Sequence, residues 1–487
     1  VTSKAGLIQI PLTGGFYKSR SPQFSSQRCI NWYPNFAKSG ALNPDNLYHC
    51  SGLDQIATAG TGVNRGAKIL NGKPYFVNGN TLYRVDRIVN PDLSVSYSSV
   101  SLGTIAGTGR VQMDKLTSQL CIVVPGVKAY IYTEGGAVAE ITSLDFDGPV
   151  DDVVALDSVF VFSKTDSNIV FHSNFNDGLT YNPLDSYPVP QLSKVVGLGV
   201  YRNQLYVFGD NLTIPFSNTA SGEFTFSPIP NAAIDIGLRT KFSKTPFRQS
   251  FVWVGYGGEN ADASVWLYSG GAVQNISTEA IDFILQNMSD EDIGRAFMLR
   301  HSQNGAEFLV LNVGDYCFKY DLAASSMSGT PQWHEQRSRV AVGSDYLDIP
   351  WRVSSIVQAY NRVIAGDSID GRIGEITDEL GTEYGINMAC VLDTQPLGNS
   401  GVKGKVWAIE VFTDVGVGDN DQINLSWSGD GGYTFSNKIA RKTGAIGEYG
   451  RRVIWDRLGS FSIARQLRIE YSGQYPRAIN KIMANAQ

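Results

Sequence analysis

Short runs of alternating apolar and polar residues, separated by turn formers, dominate the chain. From Gly66, the stretch AKILNGKPYFVNGNTLYRVD sets Ile69, Tyr75, Val77, Leu82, Tyr83 and Val85 around the turns Asn71-Gly72 and Asn78-Gly79-Asn80. Period-two alternation broken by such turns reads as strand, turn, strand, turn, strand. The same grammar returns over residues 110–136, 151–178, 195–219, 250–271, 297–322 and 352–377. With the turn after each first strand as marker (Asn71, Lys115, Asp157, Arg202, Arg248, Gln303, Tyr360), the copies recur every ~48 residues, the period of propeller blades. A single blade cannot bury both of its faces, so blades stack. The expected fold is all-β: a β-propeller of six or seven blades, seven favoured, over residues 61–380, followed by a C-terminal antiparallel β-sandwich or barrel over 381–487.

One stretch breaks the pattern. ISTEAIDFILQNMSDEDIGRAFM has Ile281, Ile284, Leu285 and Met288 on one helical face, Ser277 as a cap and Ser289 as a restart, which predicts a short inserted helical pair. Residues 1–60 lie outside the repeat. They are polar and punctuated by proline, with Trp32, Tyr33 and Phe36 as large anchors and little local core, so they read as an N-terminal arm and assembly segment. On that reading, removing residues 1–36 leaves a folded monomer unable to assemble.

Composition narrows the classes. Of 487 residues, 43% are hydrophobic and only 18% charged, with 51 Gly, 19 Pro, 23 Phe and 23 Tyr, which argues against a coiled coil and against disorder. The balance of 40 Lys+Arg against 46 Asp+Glu gives −6, so the surface as a whole is not built to grip phosphates. Cys29, Cys50, Cys121, Cys317 and Cys390 are far apart and odd in number, which encodes neither a disulfide framework nor a zinc site. No apolar run reaches the ~18 residues of a membrane span. A soluble, cytosolically made chain without stable membrane insertion is expected.

Candidate chemistry is sparse. Ser428-Gly429-Asp430-Gly431-Gly432-Tyr433-Thr434-Phe435 matches the Asp-box turn of sialidases and related propellers, a structural device in which the Asp side chain ties back onto turn amides. His49, His172, His301 and His334 are isolated and read as surface or loop residues; no phosphate loop or dinucleotide motif is present. Asp145, Asp147, Asp151 and Asp152 form a plain turn cluster without the rest of a calcium loop. No catalytic residue, cofactor or metal site is expected. Basic residues gather in the C-terminal region, Arg441, Arg451 and Arg452 foremost, with Arg457, Arg465 and Arg468 beside them; they suit an inter-subunit seam or an anionic partner. Trp253, Trp266 and Trp333 keep open a carbohydrate-binding propeller or adhesin, with a sialidase-like glycosidase behind it.

In order along the chain, PNFAKSG, LYHCSGLDQI, GVNRGA, AGTGRVQM, FSKTPFRQSFVWVG, SGGAVQNISTEAIDFIL, KYDLAASSMSGTPQWHEQR and AGDSIDGRIGEIT resemble the packaged-DNA stabilisation proteins, the tail hub or nozzle family of short-tailed bacteriophages. The resemblance weakens through RRVIWDRLG. It implies a non-enzymatic virion tail protein, assembled in the host cytoplasm as a homohexameric ring below the head-to-tail adaptor ring. Such a ring extends the DNA channel, helps retain the packaged genome, and receives the tail needle or plug and the tailspikes or tail fibres. Double-stranded DNA would pass through without sequence-specific binding. The candidate inter-subunit or lumen contacts are Trp32, Tyr33, Phe36, Arg441, Arg451 and Arg452, a subunit seam being favoured for the arginines.

Overall fold

The computed structural model describes residues 6–12, 15–18, 26–37, 43, 45–220, 222–257, 263–303, 305–398, 403–418, 420–462 and 464–486. Five antiparallel four-stranded meanders follow one another over residues 64–104, 112–140, 150–188, 197–228 and 244–275. A sixth sheet closes the ring. Its strands Val353–Ala359, Arg362–Asp367 and Arg372–Thr377 come late in the chain, and its fourth, Gly52–Thr58, comes from before the first blade and pairs antiparallel with Arg372–Thr377. Six sheets are thus blades in their own right. The remaining sector, Phe297–Gln303, Ala306–Val313, Tyr316–Asp321 and Trp333–Glu335, is a meander of the same kind whose outermost strand continues into an 11-stranded sheet shared with the sandwich.

The period of two explains how these units stack. In the second blade, Leu120, Ile122 and Val124 face the first blade, where they meet Leu70, Tyr75, Val77 and Leu82. The intervening Cys121 and Val123 face the third blade and pack on Phe160, Phe162 and Phe171. Successive side chains of a strand point to opposite faces, so one alternating apolar run serves two interfaces. The alternation carries around to Ile364 and Ile373 of the closing blade, which pack on Phe76 and Val85 of the first. Several inner hairpins turn through two consecutive residues at positive φ: Asn71-Gly72 (47° and 77°), Asp157-Ser158 (47° and 68°), Arg202-Asn203 (48° and 59°) and Tyr360-Asn361 (56° and 59°). Such turns match the twist of the strands they join.

Among the described residues three helices occur. The expected pair is α1 (Glu279–Gln286) and α2 (Asp290–Gly294), and Ser289 caps α2 by accepting from the Asp292 amide at 3.1 Å. Thr278, not Ser277, is the N-cap residue of α1; Ser277 instead donates to the Asp282 carboxylate at 2.5 Å. Ala280, Ile281 and Leu285 press α1 into the core with Val265, Met298 and Trp333. The third, α3 (Leu322–Ser328), starts at Asp321, whose side chain accepts from the Ala324 amide, and stops at Gly329 with φ 73°.

The sandwich corrects the reading of residues 1–60 as an arm. One sheet runs Trp32–Phe36, Asp45–His49, Ile479–Ala486, Gly404–Thr413, Val453–Asp456, with Gly6–Ile10 also laid along Ile479–Ala486. The facing sheet runs Ser26–Ile30, Cys390–Asp393, Ala464–Tyr471, Gln422–Ser428, Ile439–Lys442. Ile10, Cys29, Trp32 and Leu47 share one core with Leu392, Ile409, Leu425, Trp455, Leu467 and Ile482. The described strands within the first fifty residues belong to the sandwich sheets, and the strand after them, Gly52–Thr58, closes the propeller.

Candidate functional site

The expected assembly residues fall into two groups. Trp32 is 0% exposed, and its Nε1 donates to the Arg477 carbonyl at 2.9 Å. Tyr33 is 1% exposed and sits edge-on to Phe308 of the propeller, with ring centroids 5.0 Å apart. Both anchor the chain to itself: their strand pairs with Asp45–His49, which in turn lies beside Ile479–Ala486, so both side chains are spent inside one chain and are ruled out as inter-subunit anchors. Phe36, at the end of its strand, is half-buried.

The arginines behave differently. Arg452 forms a bidentate pair with Glu410 at 2.7 and 2.6 Å, and Arg441 donates from Nε to the Ile454 carbonyl at 2.8 Å. Both are exposed and converge on the strand Val453–Asp456, and exposed Arg451 lies just before it. Three further basic residues of this region turn inward. Arg468 pairs with Asp393 at 2.6 and 2.7 Å and stacks 3.8 Å from the Phe435 ring centre; Arg465 and Arg477 are buried and donate to backbone carbonyls. The surface patch is smaller than the sequence count implied.

Where propeller meets sandwich, the core is ionic and polar. Arg28 on Ser26–Ile30 grips fully buried Glu335 at 2.6 and 2.8 Å, beside the point where the two strands pair. Arg352 and Asp367 form a wholly buried pair at 2.7 Å. Trp351 donates to Glu383 at 3.0 Å, and burial raises the Glu383 carboxyl to about 7. Lys319 is fully buried with its Nζ 4.4 Å from the Trp351 ring centre, and burial lowers its pKa. All four histidines are buried rather than at the surface. Burial pushes His49 down to about 4 and holds His301 and His334 well below the usual imidazole range. Neutral imidazoles packed on Phe308 and Trp351 have no access to substrate.

The Asp-box is structural. Asp430 accepts from the amides of Tyr433 at 3.0 Å and Thr434 at 3.0 and 3.1 Å, and these bonds with the Ser428 and Thr434 hydroxyls hold its carboxyl well below the usual range. Trp253 and Trp333, considered as sugar platforms, lie inside the core, and Trp266 is half-buried. Among the described residues, no group of three His, Cys, Asp or Glu is placed to hold a metal, and no helix is long and apolar enough to cross a membrane. Along the propeller axis, a cavity of about 370 Å³ between inner strands carries paired charges: Lys68–Asp114 at 2.8 Å, Lys241–Asp151 at 2.9 Å and Lys244–Asp152 at 2.6 Å.

Comparison with known proteins fits this two-part architecture. The family model "Bacteriophage P22 Gp10, beta-propeller" matches residues 8–381, and "Bacteriophage P22 Gp10, beta-sandwich" matches residues 389–487. The chain belongs to the phage P22 Gp10 family. A curated relative, the tail hub protein gp10 of Salmonella phage P22, is 24% identical over 416 residues, covering 82% of each chain. Among solved structures, virginiamycin B lyase from Staphylococcus aureus covers 65% of this chain and 94% of its own at 10% identity and TM-score 0.38. The extracellular domain of a putative one component system from B. thetaiotaomicron covers 77% and 46% at 11% identity and TM-score 0.43. At these scores neither likeness bears on the chemistry of a Gp10-family chain. In this family member the propeller match begins within the sandwich strand Gly6–Ile10, so its boundary in sequence is not the boundary of the folded unit.

Proposed function

We propose that this Gp10-family chain is a structural tail hub protein of a phage virion. It assembles as a hexameric ring below the head-to-tail adaptor, extends the DNA channel, helps retain packaged DNA, and docks the tail needle and the tailspikes or fibres. The observation that carries the reading is the family match across both the propeller and the sandwich. The physical chemistry supports a wall rather than a catalyst. Burial holds His49, His301 and His334 neutral, and the larger polar networks lock one domain to the other. Most axial cations are already paired within the chain, so duplex DNA passing nearby would release few counterions and meet little resistance to sliding. Arg441, Arg451 and Arg452 are exposed, which supports their assignment on this reading to a subunit seam.

Electron microscopy of the purified chain mixed with the adaptor of its own phage tests this. Six-fold rings seated on the adaptor are the expected result. Chains that remain monomeric with the adaptor present, while folded by circular dichroism, would overturn the reading.

A further inference from the structure

At one end of the propeller axis, where chain segments enter the inner strands, lies a cavity of about 540 Å³ whose lining includes Arg65, Arg110 and Arg295 but no carboxylate. Two of these arginines are committed. Arg65 donates to the carbonyls of Gly109 at 2.6 Å, Gly79 at 3.0 Å and Ile105 at 3.2 Å, holding the loop that delivers Arg110. Arg295 pairs with Glu291 at 2.5 Å on the outer surface.

Arg110 is different. Its guanidinium carbon lies 3.8 Å from the Phe297 ring centre and 5.7 Å from that of Phe242. Its Nε is shielded from solvent without a hydrogen-bond partner, and the side chain stands between this cavity and the axial one, lining both. Burial alone lowers its pKa to about 10, with no neighbouring carboxylate opposing the shift, so it stays charged at neutral pH. Lys68, Lys241 and Lys244 further along the axis each have an aspartate. A half-buried cation without a counter-charge has lost part of its hydration, and the two aromatic faces recover only part of that cost.

We propose that this mouth of the propeller axis binds a small oxyanion, a phosphate or carboxylate group, which takes the terminal nitrogens of Arg110 in a forked charge-assisted bond. Guanidinium forks match the spacing of two oxygens on either group. Phe242 and Phe297 hold the fork flat, and Arg65 fixes the loop behind it. The site does not depend on ring assembly, since all its residues belong to one chain.

Calorimetric titration of the full-length chain with inorganic phosphate and, separately, with succinate, at ionic strength fixed with chloride, tests the proposal. Saturable binding of at least one of the two is expected, and which one binds distinguishes phosphate from carboxylate. Arg110→Met should weaken it about tenfold or more and Arg110→Lys less, because Lys offers a point charge in place of the fork. In chloride, Arg110→Met should melt no lower than wild type, since it removes an unpaired, half-buried charge. Should that variant fail to fold, Phe297→Leu, which lets the fork swing, serves in its place and should also weaken binding. Heats that follow ionic strength alone in the wild type, or undiminished binding by the folded variants, would overturn it.

Discussion

Between the first and second blades, Leu70, Tyr75, Val77 and Leu82 meet Leu120, Ile122, Val124 and Tyr132, two neighbouring stretches of chain. The sandwich core brings Ile10, Cys29, Trp32 and Leu47 against Leu392, Ile409, Trp455 and Ile482, from opposite ends of the sequence. Blade interfaces follow from local alternation. The sandwich exists only once the chain has closed a loop around the entire propeller, and long-range closure costs entropy before its contacts form. The two regions also differ at their border: blades meet through apolar cores with ion pairs such as Lys68–Asp114 at the axial rim, whereas the propeller–sandwich border adds the buried-carboxylate pair Arg28–Glu335 to the packing of Tyr33 on Phe308. A terminal truncation that would cost a repeat protein one unit should here undo a whole domain.

Among single substitutions the largest effect is expected at Trp32. Trp32→Ala removes a fully buried indole and its bond to the Arg477 carbonyl, and should cost about 3–5 kcal/mol, read by chemical denaturation. If the loss is confined to the sandwich while blade amides stay protected from exchange, the two regions are separable.

Acid comes next. His49, His301 and His334 have folded pKa values below their unfolded one. Their contribution is therefore fully present above about pH 6.5 and is lost as pH falls through the folded values, His49 at about 4. For His49 alone this is on the order of 3 kcal/mol. Glu383 runs the other way. Its folded pKa is raised to about 7, so its contribution is present below its unfolded value and lost as pH rises through 7. The histidines outnumber it, so melting temperature should fall between pH 6.5 and 4, and Glu383→Gln should raise it chiefly at pH 8.

Smaller still, Asp430→Ala should leave global melting nearly unchanged and speed exchange of the Tyr433 and Thr434 amides, which it holds directly. The triple change of Arg441, Arg451 and Arg452 to Ala should alter stability least of all. Its expected signature is fewer assembled rings. Rings that form normally but leak DNA would place these residues on the lumen instead.

Much of the propeller was legible because its signal is local. Ile69, Tyr75, Val77 and Leu82 alternate within sight of their own turns, and Ser289 stands where a helix start should. Gly6–Ile10 and Ser26–Ile30 carry no such signal: each is short, and its partner strand lies hundreds of residues away. Trp32–Phe36 pairs nearby with Asp45–His49, but that hairpin joins the sandwich only through Ile479–Ala486 at the far end of the chain. An exposed arm and a displaced set of sandwich strands look alike in sequence. Arg465 and Arg468 read as part of a basic surface cluster because composition does not distinguish a guanidinium bound to carbonyls or a carboxylate inside the sandwich from one in water. The histidines were misplaced for a related reason, since an isolated neutral imidazole in a core leaves no spacing to read. The α3 signals, Asp321 before and Gly329 after, were present but masked by its small polar residues. At the axial mouth, Arg110, Phe242 and Phe297 are too far apart in sequence to be read as one site.

Hydrogen exchange on a chain lacking residues 1–36 tests the joint construction most directly. Loss of protection is expected throughout Gly404–Thr413, Ala464–Tyr471 and Ile479–Ala486, while the blades over residues 64–275 keep theirs. Unchanged protection of those three sandwich strands, in a truncated chain that merely fails to assemble, would restore the N-terminal segment as an arm and contradict the account.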